Sequence, residues 1–132
     1  MMAETGPAAF APGGHAIVAH GGGAFAFAGM SHHGSILATP KGVRGIEAPT
    51  VSHLDERTLA PLFGELREAP GSIEFLVIGS GAQMTPVPKP LRAALREAGL
   101  RFEAMATGPA LRVYNVMQSE DRRVAAALIA TP

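Results

Sequence analysis

The residues whose types and spacing could do chemistry lie mostly in the second half of the chain. They are Gly79-Ser80-Gly81, Thr107, Arg112, Tyr114 and Asn115. Gly79 to Gly81 closes one apolar run and Thr107 follows the next, so both fall at the carboxyl ends of expected strands. In open α/β sheets that is where ligands tend to bind. Backbone N–H groups in a glycine turn and at a helix start can hold an anion. Arg112, Tyr114 and Asn115 would add polar groups on the helix that Thr107 opens. The dinucleotide pattern, however, needs a third glycine leading into a helix, and the phosphate loop needs Gly-Lys-Ser/Thr; neither is present. The plain alternatives stay open: a tight turn that needs small residues, a solvated helix face for Arg112, and a core position for Tyr114.

Other constellations are weaker. Ser80, His53 and Asp55 supply the types of a hydrolytic triad, but Ile78-Gly79-Ser80-Gly81-Ala82 is not a Gly-x-Ser-x-Gly elbow. Glu120-Asp121 sits in a polar turn and offers no acid–base pair. His32 and His33 are adjacent, so on a strand they point to opposite faces. His15, His20 and His53 have no partner at a recognised ligand spacing. With no cysteine in the chain, disulfides, thiolate zinc sites, iron–sulfur ligation and cysteine nucleophiles are excluded. No catalytic residue, metal site or cofactor is expected.

These residues need a scaffold. At 132 residues, 47% hydrophobic and 17% charged, the chain is one packed domain. Eleven basic residues balance eleven acidic ones, which argues against a nucleic-acid binder. No apolar run approaches the roughly 18 residues of a membrane span. The start lacks the charged and apolar regions of a signal peptide, so a soluble cytoplasmic protein is expected.

Residues 1–14, rich in Ala, Pro and Gly, read as a flexible tail, and 15–132 as a single domain. From His15 to Glu47, short runs (Ala16 to Ala19, Phe25 to Gly29, Ser35 to Thr39, Val43 to Glu47) broken by Gly and Pro predict a β-meander. Leu59, Leu62, Phe63 and Leu66 predict a helix capped by Asp55 or Thr58, with Pro61 in its first turn. Ile73 to Ile78 reads as a strand buried on both faces. Pro90 opens a helix with the stripe Leu91, Ala94, Leu95 and Ala98, and Gly99 stops it. Arg101 to Ala106 is a strand, Thr107 caps a helix with the stripe Ala110, Val113, Tyr114 and Met117, and Val124 to Ile129 is the last strand. Strand–helix–strand–helix–strand means parallel β-α-β crossovers. The expected fold is α/β: a mixed central sheet, helices packed on it, and the meander as an extra β layer.

Phe75-Leu76-Val77-Ile78-Gly79-Ser80-Gly81-Ala82, Met105-Ala106-Thr107, Tyr114-Asn115-Val116 and Glu120 to Ile129 together resemble a small family. It holds the complex I (NADH:ubiquinone oxidoreductase) assembly factor three and bacterial and archaeal relatives of unknown function, the Mth938-like domains. The resemblance spans about residues 15 to 130. It implies a single α/β domain with no established catalytic activity. In eukaryotic relatives, which are mitochondrial, it implies a binding partner used while complex I is assembled. The chain departs from the family pattern at Ala106, where an acidic residue is expected, and at Leu111-Arg112-Val113-Tyr114-Asn115, where Cys-Arg-Thr-Tyr-Asn is expected.

Two functions follow as expectations. The first is a non-enzymatic interaction or assembly protein whose partner is a respiratory-complex subunit or another assembly factor, with Thr107 to Asn115 as recognition surface. The second is a small-molecule or anion-binding protein, or an enzyme, built on Gly79, Ser80, Gly81, Thr107 and Arg112. Exposed strand edges would also permit a homo-oligomer.

Overall fold

The computed structural model describes residues 3–5, as backbone, together with 10–18 and 21–132. Its nine described strands form two sheets. β1 (Ala3–Thr5), β4 (Met30–His33) and β3 (Ala24–Phe27) make a small sheet in the order β1-β4-β3. β2 (Phe10–Pro12), β5 (Ile36–Thr39), β6 (Gly42–Gly45), β7 (Phe75–Gly79), β8 (Arg101–Met105) and β9 (Val124–Leu128) make the main sheet in the order β2-β6-β5-β9-β7-β8. β7 runs parallel to both β9 and β8, while β5 meets β9 antiparallel, so the sheet is mixed. The expected α/β class is borne out.

The sheet divides two apolar layers. On one face, Leu76 and Ile78 of β7 and Ala125 and Ala127 of β9 pack with α1 (Ala60–Glu68) and α2 (Lys89–Glu97), through Leu62, Phe63, Leu91 and Leu95. On the other, Val77, Val124, Ala126 and Leu128 pack with α3 (Thr107–Ser119) and with Phe25 and Phe27 of the small sheet. Alternate residues of one strand serve opposite layers because successive side chains of a strand point to opposite faces. The alanines of β9 let elements approach it closely on both faces.

The helices follow their sequence signals with shifted ends. Pro61 and Pro90 both sit in first turns, where the missing N–H costs nothing. Asp55 and Thr58 do not cap α1, which begins after Leu59. They close the preceding turn on each other, the Thr58 N–H donating to Asp55 Oδ1 at 2.7 Å and the Asp55 N–H to Thr58 Oγ1 at 3.0 Å. The Thr58 N–H bond above all holds the Asp55 carboxyl below the usual carboxylate range.

The first 47 residues depart most from expectation. The predicted meander is split, β3 and β4 pairing in the small sheet and β5 and β6 joining the main one. The β3–β4 hairpin turns through Ala28 and Gly29, both at positive φ, as a type I′ loop requires. Residues 16–18 form no strand, and Ala19 and His20 lie outside the described residues. The tail reading is corrected where it is described. Ala3–Thr5 pairs parallel with β4, and Phe10–Pro12 pairs antiparallel with β6. Long-range contacts supply the ordering energy that local composition lacks. Ala11 is buried in the α3 layer, and the Arg44 guanidinium lies 4.4 Å from the centre of the Phe10 ring.

Candidate functional site

Gly79, Ser80, Gly81 and Thr107 meet where β7 ends and α3 begins, as their positions in the sequence predict. Gly79 is the point of closest approach: a Cβ there would stand 2.9 Å from Thr107 Cα and 3.0 Å from Leu128 Cδ2. Only glycine lets the end of β7 lie against the first residue of the helix. The structure thus supports the small-residue alternative for this turn.

The polar groups here bond to one another. Thr107 is fully buried and is the first residue of α3, not its cap. Its hydroxyl accepts from the Gly81 N–H at 2.9 Å and donates to the Ile129 carbonyl at 2.8 Å. Its own N–H donates to the Gly81 carbonyl at 2.8 Å, and the Ile129 N–H donates to that of Gly79 at 2.9 Å. The Ser80 N–H donates to the Met105 carbonyl. The Ser80 hydroxyl shares its one proton between the Gln83 and Met105 carbonyls and accepts from the Thr85 N–H. One circuit therefore ties the ends of β7, β8 and β9 to the start of α3.

That circuit spends most of the donors an anion would use and leaves the Gly108 N–H of the first turn uncapped. The amides of Ser80, Gly81 and Thr107 are committed, and Pro109, in the first turn, has none. Ser80 is buried beside a cavity of about 320 Å³ that Thr50, Ser52 and Thr85 also line, whereas His53 and Asp55 line a different cleft. The three are not assembled as a triad. Among the described residues no cluster of His, Asp and Glu could hold a metal ion.

Tyr114 and Asn115 face inward to the segment that leads into β3. The Tyr114 hydroxyl donates to the His15 carbonyl at 3.1 Å. Asn115 accepts from the Ile17 N–H at 2.9 Å and donates to its carbonyl at 2.6 Å, as a neighbouring strand would. This pins Ile17 in the α3 layer. Burial pushes the Tyr114 phenol up to about 12. Arg112 alone of the candidates on α3 is exposed, and no described residue lies within ion-pair distance of it. Val116, 57% exposed one turn further on, stands on the same helix face, and Val18, 74% exposed, follows the pinned Ile17. An exposed valine carries no chemical signature, so neither stood among the candidate site residues of the sequence.

Known proteins resemble this chain in sequence and fold. The profile of a family described as a protein of unknown function (DUF498/DUF598) matches residues 17–129. An uncharacterised protein of Rhodobacter capsulatus is 34% identical over 116 residues, 88% of this chain and 85% of that protein. A Bartonella henselae protein described as an outer membrane protein superposes with a TM-score of 0.83 at 39% identity, covering 92% of this chain and 98% of its own. Rpa2829 of Rhodopseudomonas palustris gives 0.73 at 44%, over 89% and 84%. A Bordetella pertussis Mth938-like domain shares the fold with a TM-score of 0.73 at 23% identity, over 88% and 85%. No helix among the described residues is long and apolar enough to cross a membrane.

Proposed function

The chain belongs to the DUF498/DUF598 family of proteins of unknown function, and on that premise we propose that it is a non-enzymatic interaction protein. The observation that carries this reading is the closed hydrogen-bond circuit at the strand ends. The serine, the threonine and the amides best placed for chemistry hold the scaffold together instead. What stays free to meet a partner on this helix is the outer face of α3, with Arg112 of the predicted recognition segment and Val116 just beyond it. The resemblance to the complex I assembly factors supports, as the partner in this reading, a respiratory-complex subunit or a second assembly factor, met on the cytoplasmic side of the membrane.

The test is capture with the tagged full chain from cells that contain a respiratory complex. Recovery of its subunits or of a second assembly factor, weakened in Arg112→Glu/Val116→Asp, is the expected result. Capture of neither overturns the reading.

A small-ligand role has one observation in its favour, the 320 Å³ cavity beside Ser80 and Gly81 with its hydroxyls. Arg112 does not line it, so the version that joins Arg112 to the glycine turn loses its support. A thermal-shift series with phosphate compounds and nucleotides tests what remains. A ligand at 100 times its dissociation constant adds about 2.7 kcal/mol, and the absence of any shift ends that reading.

A further inference from the structure

The main sheet stops at β8, which pairs with β7 only, so one side of its backbone has no strand neighbour among the described residues. An open edge of this kind is a template for another extended chain. Beside it, on the α2 face, lies a cleft of about 610 Å³ lined by Arg92, Arg96, Arg101 and the partly buried Phe102. No carboxylate lines the cleft, and none of the three arginines lies within ion-pair distance of an acidic group among the described residues. Arg92 Nε has no hydrogen-bond partner. In a chain with as many acids as bases, Arg92 and Arg96 standing on the α2 side of the cleft without an acid are a local separation of charge.

We propose that the β8 edge takes up an extended acidic segment of a partner protein as an added strand. The segment's backbone bonds to β8, and its carboxylates meet Arg92 and Arg96. Alternate side chains of an added strand face one side of the sheet, so an acid at every second position reaches the cleft. The guanidinium fork matches a carboxylate in two parallel hydrogen bonds, which gives the contact direction as well as charge. A second copy of the chain fits poorly. Antiparallel pairing of two β8 strands about their central residue sets Glu103 against Glu103 and adds no acid to either cleft. The inference goes beyond the assembly reading and uses a different surface from the outer face of α3.

The probe is a labelled synthetic peptide of alternating glutamate and valine, long enough to span β8, titrated into the full chain and followed by anisotropy and amide NMR shifts. Saturable binding is expected, with the largest shifts at Arg101–Met105. Arg92→Glu/Arg96→Glu should weaken it about tenfold or more with an unchanged thermal midpoint, and a lysine–valine peptide should not bind. Arg112→Glu/Val116→Asp should leave it unchanged, which separates this site from the α3 face. No binding, shifts confined to other elements, or full affinity in the double arginine variant overturns the proposal. So does adsorption to phosphatidylserine vesicles lost in that variant while the peptide fails to bind, because the arginines would then serve a lipid surface.

Discussion

Thr107 shows how one side chain settles what a site is for. Its hydroxyl is the shared partner of a part-buried N–H and a buried carbonyl that belong to different loops. Thr107→Val keeps the shape and removes both bonds, stranding two backbone groups at about 1–3 kcal/mol each. We expect a loss of about 2–4 kcal/mol in urea denaturation, and near-wild-type stability for Thr107→Ser. A small loss in the valine variant would mean that the circuit is not what closes the strand ends. Tyr114 makes a second prediction, with an unobstructed readout because the chain has one tyrosine and no tryptophan. Burial raises its pKa from 10.0 to about 12, and the charged form is the deprotonated one. As pH rises past 10 the unfolded chain gives up this proton first, so this contribution to stability is complete below pH 10. It is lost between about 10 and 12, at about 1.4 kcal/mol per pH unit. Phenolate absorbance should therefore rise late and together with unfolding, whereas a midpoint near 10 in the folded chain would contradict the burial.

At the scale of elements, α3 carries two loads, and each has its own test. Its N-cap is Ala106, an extended residue whose side chain cannot cap, so the Gly108 N–H lacks the acceptor that an N-cap side chain normally supplies. Ala106→Asp should supply that acceptor and place a negative charge at the positive end of the helix, adding about 0.5–2 kcal/mol by thermal denaturation. The same helix holds residues 15–18 through Asn115. Asn115→Ala leaves the Ile17 N–H and carbonyl without partners, and should cost about 1–3 kcal/mol while hydrogen exchange accelerates selectively at Ile17 and Val18. Exchange rates that stay slow there would show that the buried Ile17 side chain alone anchors the segment. These elements also show what could be read in advance. β7, α2, α3 and β9 were legible because long apolar runs and a 3.6-residue stripe report burial directly. β4, Met30-Ser31-His32-His33, has no β-branched or aromatic residue; it is a strand because β3 and β1 pair with it. β2 depends on β6 and on Arg44 over Phe10, contacts thirty or more residues apart in the chain. The strand-end residues were likewise legible as a cluster, but their role was not, since Gly81 and Ile129 lie far from Thr107 in sequence. The arginine cleft escaped because balanced total charge conceals a local imbalance.

For the whole molecule, the deciding feature is that β7 and β9 belong to both layers at once. Leu76 and Ile78 build the α1–α2 side, while Val77, between them, builds the α3 side. A layer cannot come apart without exposing the back of strands that the other layer needs, so the two should unfold as one cooperative unit. Leu76→Ala tests this with two probes. Leu76 is fully buried opposite α3, and its truncation should cost about 2–5 kcal/mol. Tyr114 fluorescence reports the α3 layer only, because the ring lies on the other face of the sheet, whereas far-ultraviolet circular dichroism reports all elements. If the layers are one unit, both urea transitions shift to the same lower midpoint. A fluorescence transition that stays in place while the dichroism moves would show that the α3 layer folds on its own, with the parallel strands serving it independently of α1 and α2.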